Sequence, residues 1–183
     1  ELYSSEGKQR LLKAGIMPQI IYDEVKNALW GCLEIPLYLK KGATRFLGNV
    51  SAFKRSLFIP ILVIPVIIYS IPSAEIYEDK SFGWKFALML IQVCLGTSAF
   101  AGVIYFFKAK HVAKEDILKC ITSYNWLSLS AFAVNLPLIL LAVLGINTWD
   151  DVFAMMILVT IYTYSFLAFM IMHTLRINIF LGV

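Results

Sequence analysis

Residues 131–145 read AFAVNLPLILLAVLG, an apolar stretch that holds one carboxamide, Asn135, and one proline, Pro137. It belongs to a longer apolar run at 126–146, and a helix of roughly 17 to 25 residues crosses a hydrocarbon core of about 30 Å. Three more runs are long enough, at 56–72, 83–107 and 152–175. Because backbone groups in lipid must be hydrogen-bonded internally, we predict that all four are transmembrane helices.

The composition of the whole chain also favours a membrane protein. Of its 183 residues, 60% are hydrophobic and 15% are charged, whereas soluble domains have about 25% charged residues. The net charge of +4 comes from basic residues that are sorted along the chain rather than clustered with aromatic residues, which argues against a nucleic-acid partner. The predicted fold is all-α, a polytopic bundle of four transmembrane helices, and its expected partners are membrane lipids and other membrane-protein subunits.

Basic residues in the connections predict the orientation, because cytoplasmic loops carry an excess of Lys and Arg. Nine basic residues precede the first span, and the connection at 108–120 carries four lysines, whereas the connections at 73–81 and 147–151 are acidic. We therefore expect the N-terminus and residue 183 on the cytoplasmic or equivalent inner face. The expected location is a bacterial inner membrane, with an organelle membrane as the alternative.

The region before the first span differs from the rest. We expect a flexible or processed segment at 1–17, a cytoplasmic or interfacial region at 18–55 and the transmembrane bundle at 56–183. Between 18 and about 38, apolar residues recur at helical spacing opposite polar ones, which predicts an amphipathic helix that lies on the membrane surface. Its predicted apolar face consists of Ile21, Val25, Ala28, Leu29 and Cys32. The candidate contacts to anionic lipid are Lys40, Lys41, Arg45, Lys54 and Arg55.

Residue patterns typical of catalysis do not occur. His111 and His173 lack partners at zinc-site spacing, and the chain has no HExxH, GxSxG, Walker-type or GxGxxG motif. Every carboxylate lies outside the predicted spans, which argues against a proton-coupled pump. We expect no enzymatic activity, no catalytic residue, no cofactor and no metal site.

Asn135 should lie near the bilayer centre, where an amide that faces lipid is costly. It can serve helix packing, by bonding a hydroxyl, Gln92 or a carbonyl on a neighbouring helix, or the Ala133 carbonyl that Pro137 leaves free. Alternatively, Asn135 and Gln92 line a path for a transported molecule. Ser98 and Gly102, four residues apart, allow close helix approach. The candidate packing or path residues are Asn135, Pro137, Gln92, Ser98 and Gly102.

Three short motifs carry a family resemblance: FLGNVSAFKRSL at 46–57, SYNWLSL at 123–129 and HTLRINIFLGV at 173–183. They resemble uncharacterised small membrane proteins of alphaproteobacteria and, more distantly, the Yip family of membrane-trafficking proteins. The resemblance implies a cytosolic N-terminal region and five membrane helices, so that a fifth helix would follow Val183. It also implies action through interactions rather than catalysis.

Three functions are compatible with these patterns. The leading expectation is a noncatalytic integral membrane scaffold, accessory subunit or assembly factor of a larger membrane complex. The first alternative is a transporter or channel component with a polar path near Asn135 and Gln92. The second is a lipid-binding or membrane-trafficking module that uses the basic residues of the N-terminal region.

Overall fold

The computed structural model describes residues 16–70, 81–108 and 112–176, and within these ranges all regular structure is helical. This confirms the all-α prediction. The segment at 1–15, most of the acidic first connection and the end of the chain from 177 lie outside the described residues. The helices are α1 (Ile16–Glu34), α2 (Lys40–Thr44), α3 (Val50–Ser56), α4 (Phe58–Ser70), α5 (Phe82–Lys108), α6 (Lys114–Val143) and α7 (Trp149–Thr174).

Three of these helices are long and apolar enough to cross a membrane. They contain the segments Phe82–Phe106, Lys114–Val143 and Ala154–Thr174, which correspond to the second, third and fourth predicted spans. The chain is therefore a helical membrane protein. The described part of α4 has 13 residues, about 20 Å of helix, which is less than a span requires.

The predicted first span at 56–72 differs from the structure at its beginning. Residue 56 ends α3, and a new helix begins after Leu57. The Ser56 hydroxyl donates to the Phe53 carbonyl at 2.8 Å and accepts a hydrogen bond from Asn125 Nδ2 at 3.0 Å. These bonds anchor the junction between α3 and α4 to α6 through Ser56, a buried polar residue whose role hydropathy alone does not reveal.

Helix α6 begins 12 residues before the predicted span at 126. Its first turns are polar enough to read as a loop, but Ile117, Cys120 and Ile121 recur on one face and are buried. Glu115 and Asp116 lie in the first turn, where acidic side chains interact favourably with the helix dipole. The extension is therefore a helix stabilised by packing against the N-terminal region rather than by lipid.

Helix α6 is the centre of the bundle. Helices α4, α5 and α7 pack along it, and α1 and α3 pack against it as well, while α2 contacts α7. Among the described residues, α5 and α7 share no more than marginal contact. These two helices therefore flank α6 with a gap between them.

The N-terminal helices lie at the end of the bundle where α6 begins and α7 ends. Asp116 and Arg176 approach to 3.9 Å there, and a Cβ at Gly48 would collide with the backbone carbonyl oxygen of Glu115. Glycine is required at 48 because the atom that a Cβ would meet belongs to the backbone of α6, which cannot move aside as a flexible side chain could. The basic connections thus share one end of the molecule.

The hydrophobic core joins the N-terminal region to the two central helices. It combines buried residues of α1, α6 and α7 with Ile104 of α5 and with Phe46 from the connection after α2. Three hydrogen bonds reinforce the junction. The Ser130 hydroxyl donates to the Cys32 carbonyl at 2.7 Å, the Cys32 thiol donates to the Trp126 carbonyl at 3.2 Å, and the Tyr162 hydroxyl donates to the Pro36 carbonyl at 2.6 Å. The described N-terminal region is therefore a packed part of the protein.

Burial on α1 only partly follows the predicted apolar face. Ala28 and Cys32 are buried, but Ile21, Val25 and Leu29 are exposed. The reason is Glu24, which lies on the buried side because it forms an ion pair with Arg55 of α3. The described chain leaves an apolar strip of α1 uncovered, which consists of Tyr22, Val25, Leu29, Trp30 and Leu33. Together with Lys26, this strip lines a shallow groove.

A second ion pair joins the end of α1 to the residue after α2. Arg45 donates to Glu34 from Nε at 2.7 Å and from a terminal nitrogen at 2.5 Å. This two-point hydrogen bond holds the pKa of the Glu34 carboxyl below its ordinary value. The pair closes the turn that carries the chain from α1 into α2.

We expect Glu34→Gln to reduce the loss of stability in acid. The folded state lowers the Glu34 pKa, so the stabilisation is fully present above the ordinary value near 4.5 and is lost as the pH falls through the folded-state pKa. Between about pH 5 and pH 3, the thermal unfolding temperature should therefore fall more steeply for the wild type than for the variant. Tryptophan fluorescence of the detergent-solubilised proteins measures both slopes, and equal slopes would contradict the prediction.

Candidate functional site

A groove of about 660 Å³ lies on α6 in the gap between α5 and α7. Helix α4 contributes to one wall. The floor is a single stripe of α6, since its residues recur every three or four positions. This floor comprises Tyr124, Leu127, Ser128, Ala131, Phe132, Asn135 and Ile139. From 124 to 139 it is about 22 Å long.

Asn135 lies in this floor and is half-buried. Its Nδ2 donates to the Ala131 carbonyl at 2.7 Å, one turn earlier on the same helix. The expected bonds to another helix or to the Ala133 carbonyl are not the ones formed. Among the described residues the Asn135 carbonyl oxygen has no partner, so the amide keeps hydrogen-bonding capacity at the groove.

Gln92 lines the α5 wall of the same groove and is exposed. The structure thus brings together the two carboxamides that the sequence singles out, without a hydrogen bond between them. Thr160 and Thr163 of α7 also line the groove, but they donate to the carbonyls of Met156 at 2.7 Å and Val159 at 2.9 Å in their own helix. Their oxygens remain acceptors.

Among the residues that the structure describes, no charged side chain lines the groove. Amides and hydroxyls can hydrogen-bond a neutral ligand, while the predominantly apolar walls contact its hydrocarbon surface. A pocket of this kind, mostly apolar with a few polar groups, is typical of a binding site. Within the described part of the lining, no nucleophile lies beside a base.

The other candidate packing residues are not part of the groove. Pro137 is exposed on α6. On α5, Ser98 is exposed, and a Cβ built at Gly102 would meet no atom within 4 Å. The helix face that carries Ser98 and Gly102 is therefore not packed against any described part of the chain.

The five basic candidates divide into two groups. Arg45 forms an ion pair with Glu34, and Arg55 forms one with Glu24. Arg55 also donates a hydrogen bond to the Ser51 hydroxyl at 2.8 Å. In the described ranges, Lys40, Lys41 and Lys54 are exposed and form no ion pair. Of these five candidates, the three lysines are thus the ones whose charges are unpaired and most available to anionic headgroups.

Tyr124 and Gly96 line the groove on facing helices, and the sequence patterns single out neither of them. Tyr124 stacks on Phe100 of α5, with ring centroids 4.1 Å apart and planes at 12°. Gly96 faces it, since a Cβ at 96 would have the Tyr124 hydroxyl as its nearest neighbour at 4.0 Å. Tyr124 lies in the motif SYNWLSL, but neither residue has a local signal that it faces a groove.

Comparison with known proteins yields no relative. No family model matches the chain, and neither a curated protein nor a solved structure matches it significantly. Function is therefore argued from the groove and its surroundings.

Proposed function

We propose that the protein is a noncatalytic integral membrane scaffold, accessory subunit or assembly factor, and that it binds another membrane component in the groove on α6. The observation that carries the proposal is the gap between α5 and α7, lined by Asn135 and Gln92. Polar groups within a bilayer need partners, and contacts between helices commonly provide them. Because the described bundle leaves hydrogen-bonding capacity of Asn135 and Gln92 unused, it is suited to bind another membrane component there.

The proposed membrane arrangement has four spans, the first beginning at Phe58 with α4, and the N-terminal helices lie on the cytoplasmic face of a bacterial inner membrane. In support, the ion pair between Asp116 and Arg176 joins the two connections that should lie inside. In this arrangement α1 lies at the interface. Cys32 of α1 and Pro36, two residues after its end, bond to Ser130 and Tyr162 within the membrane-length helices. The uncovered apolar strip of α1 contacts lipid. A Yip-like relationship is part of the same proposal.

Copurification tests the proposed function. The full-length protein, extracted in mild detergent from its native membrane and transferred to nanodiscs, should retain a second membrane protein in stoichiometric amount. Quantitative mass spectrometry and the size of the particle measure this. A protein that remains alone and monomeric would contradict the proposal.

A transporter component is the second candidate, because Gln92 and Asn135 line one groove within the membrane-length helices. In this case Asn135→Leu should abolish the flux of the transported molecule into proteoliposomes, while the protein still folds. Pro137, Ser98 and Gly102 lie outside the groove lining. Of the five candidate residues, Asn135 and Gln92 are therefore the two that could line a path. Unchanged flux would remove Asn135 from the mechanism.

A lipid-binding module is favoured by one different observation, the three exposed lysines at 40, 41 and 54. Basic residues near a membrane surface attract anionic lipids. Replacing all three with Gln should lower the affinity of the protein for anionic nanodiscs at low salt. Arg45 and Arg55 contribute less because their charges are already paired.

A further inference from the structure

We infer that the groove on α6 receives one transmembrane helix of a partner protein, which packs against Gly96 and Ala131 and hydrogen-bonds Asn135 and Gln92. This inference rests on the proposed function and specifies its partner. The alternative occupants are a lipid acyl chain and a second copy of this chain.

The shape of the groove fits a helix. Its floor extends about 22 Å along α6, most of the roughly 30 Å hydrocarbon thickness. Helices α5 and α7 both pack on α6 but leave a gap between themselves. A helix laid along this gap would contact α5, α6 and α7 together.

Small side chains permit the close approach that helix packing in membranes requires. Ser128 and Ala131 lie on the floor and Gly96 on the wall. A Cβ at 96 would meet nothing closer than the Tyr124 hydroxyl at 4.0 Å, so the space beside Gly96 is open. An acyl chain needs no such small-residue surface.

The polar groups define the chemistry of the partner. Asn135 keeps a carbonyl oxygen without a partner in the described part of the chain, and Gln92 is exposed on the facing wall. A hydrocarbon chain cannot satisfy either amide, whereas a helix with a carboxamide or hydroxyl near its centre can. Because the groove lining in the described ranges 16–70, 81–108 and 112–176 is uncharged, the partner helix should be uncharged there and rich in Gly, Ala or Ser.

Two glycines of α5 provide a matched test. Gly96→Leu places a large side chain in the groove, whereas Gly102→Leu places the same side chain on α5 where a Cβ meets nothing within 4 Å. Both changes raise helix propensity equally. We expect Gly96→Leu to reduce the copurified partner by about tenfold or more, as overpacking disrupts a close contact, and Gly102→Leu to leave it unchanged.

Crosslinking from the groove provides a measurement that does not depend on overpacking. A photoreactive diazirine analogue of methionine, close to methionine in size, replaces Met156, which lines the groove, or, as the control, Met155, which does not line it and is 43% exposed, in full-length protein irradiated in its native membrane. The expected product is a covalent adduct with the partner, from 156 and not from 155, that maps to one of its transmembrane helices. Both variants must keep the wild-type unfolding temperature.

The other outcomes separate the two proposals. If no partner accompanies the wild type, the proposed function fails. If a partner accompanies the wild type and Gly96→Leu equally, and crosslinks only outside 156, the function stands but the groove is not its site. Adducts at 156 with lipid alone, or with a second copy of this chain, would overturn the inference in favour of those occupants.

Discussion

Arg55→Met is expected to destabilise the folded protein by about 3 kcal/mol, because it leaves the Glu24 carboxylate buried without its cation. The Glu24 side chain is only 7% exposed, and Arg55 donates to it from Nε at 3.2 Å and also from a terminal nitrogen. For a chain of this size the thermal unfolding temperature should fall by roughly 6 to 12 °C. Differential scanning fluorimetry in one detergent measures the shift.

Two controls isolate the ion pair. Lys54→Met removes the neighbouring positive charge on α3, which is exposed and unpaired in the described ranges, and should change the unfolding temperature little. Glu24→Met combined with Arg55→Met removes both charges and should recover most of the lost stability. If the double variant were as unstable as Arg55→Met, the uncompensated carboxylate would not be the cause.

This ion pair illustrates what the sequence could not predict. Glu24 and Arg55 are 31 residues apart, and Glu34 and Arg45 are 11 apart, so neither pair has the i, i+3 or i, i+4 spacing of neighbours on one helix. The helical spacing of the apolar residues in α1 predicts that Glu24, like Asp23, Lys26 and Asn27, lies on the polar face. The tertiary contact with α3 overrides that preference, because a paired charge can be buried.

The long helices were predictable because their signal is local. Continuous apolar runs predict α5, α6 and α7. Such runs must be helical in lipid because their backbone groups find no water there and have to be hydrogen-bonded within the segment. The ends were less predictable. The first turns of α6 are polar, and only their contacts with the N-terminal region explain why the helix begins at Lys114.

The groove was predictable in part. Asn135 and Gln92 stand out as carboxamides in apolar runs, and both line it. Gly96 and Tyr124 do not stand out, because glycine and tyrosine are common in membrane helices. Which faces of α5 and α6 border a gap depends on how both helices pack with α4 and α7, which local sequence does not encode.

Met170→Ala is expected to destabilise the protein by about 3 kcal/mol, within the range of roughly 2 to 5 kcal/mol for such truncations in a core. Met170 of α7 is 0% exposed and belongs to the core that joins α1, α6 and α7. The cost arises because rigid neighbours cannot close around the missing atoms. Met155→Ala, on the same helix but 43% exposed, is the matched control.

The comparison also tests how the N-terminal region is attached to the bundle. If the core is one cooperative unit, Met170→Ala should lower the unfolding temperature and, in the same step, increase proteolysis within α1, whereas Met155→Ala should do neither. Limited proteolysis across the thermal transition measures both effects. Equal shifts for the two variants would mean that lipid or detergent fills the space at 170, and that the N-terminal helices are not packed there as the structure indicates.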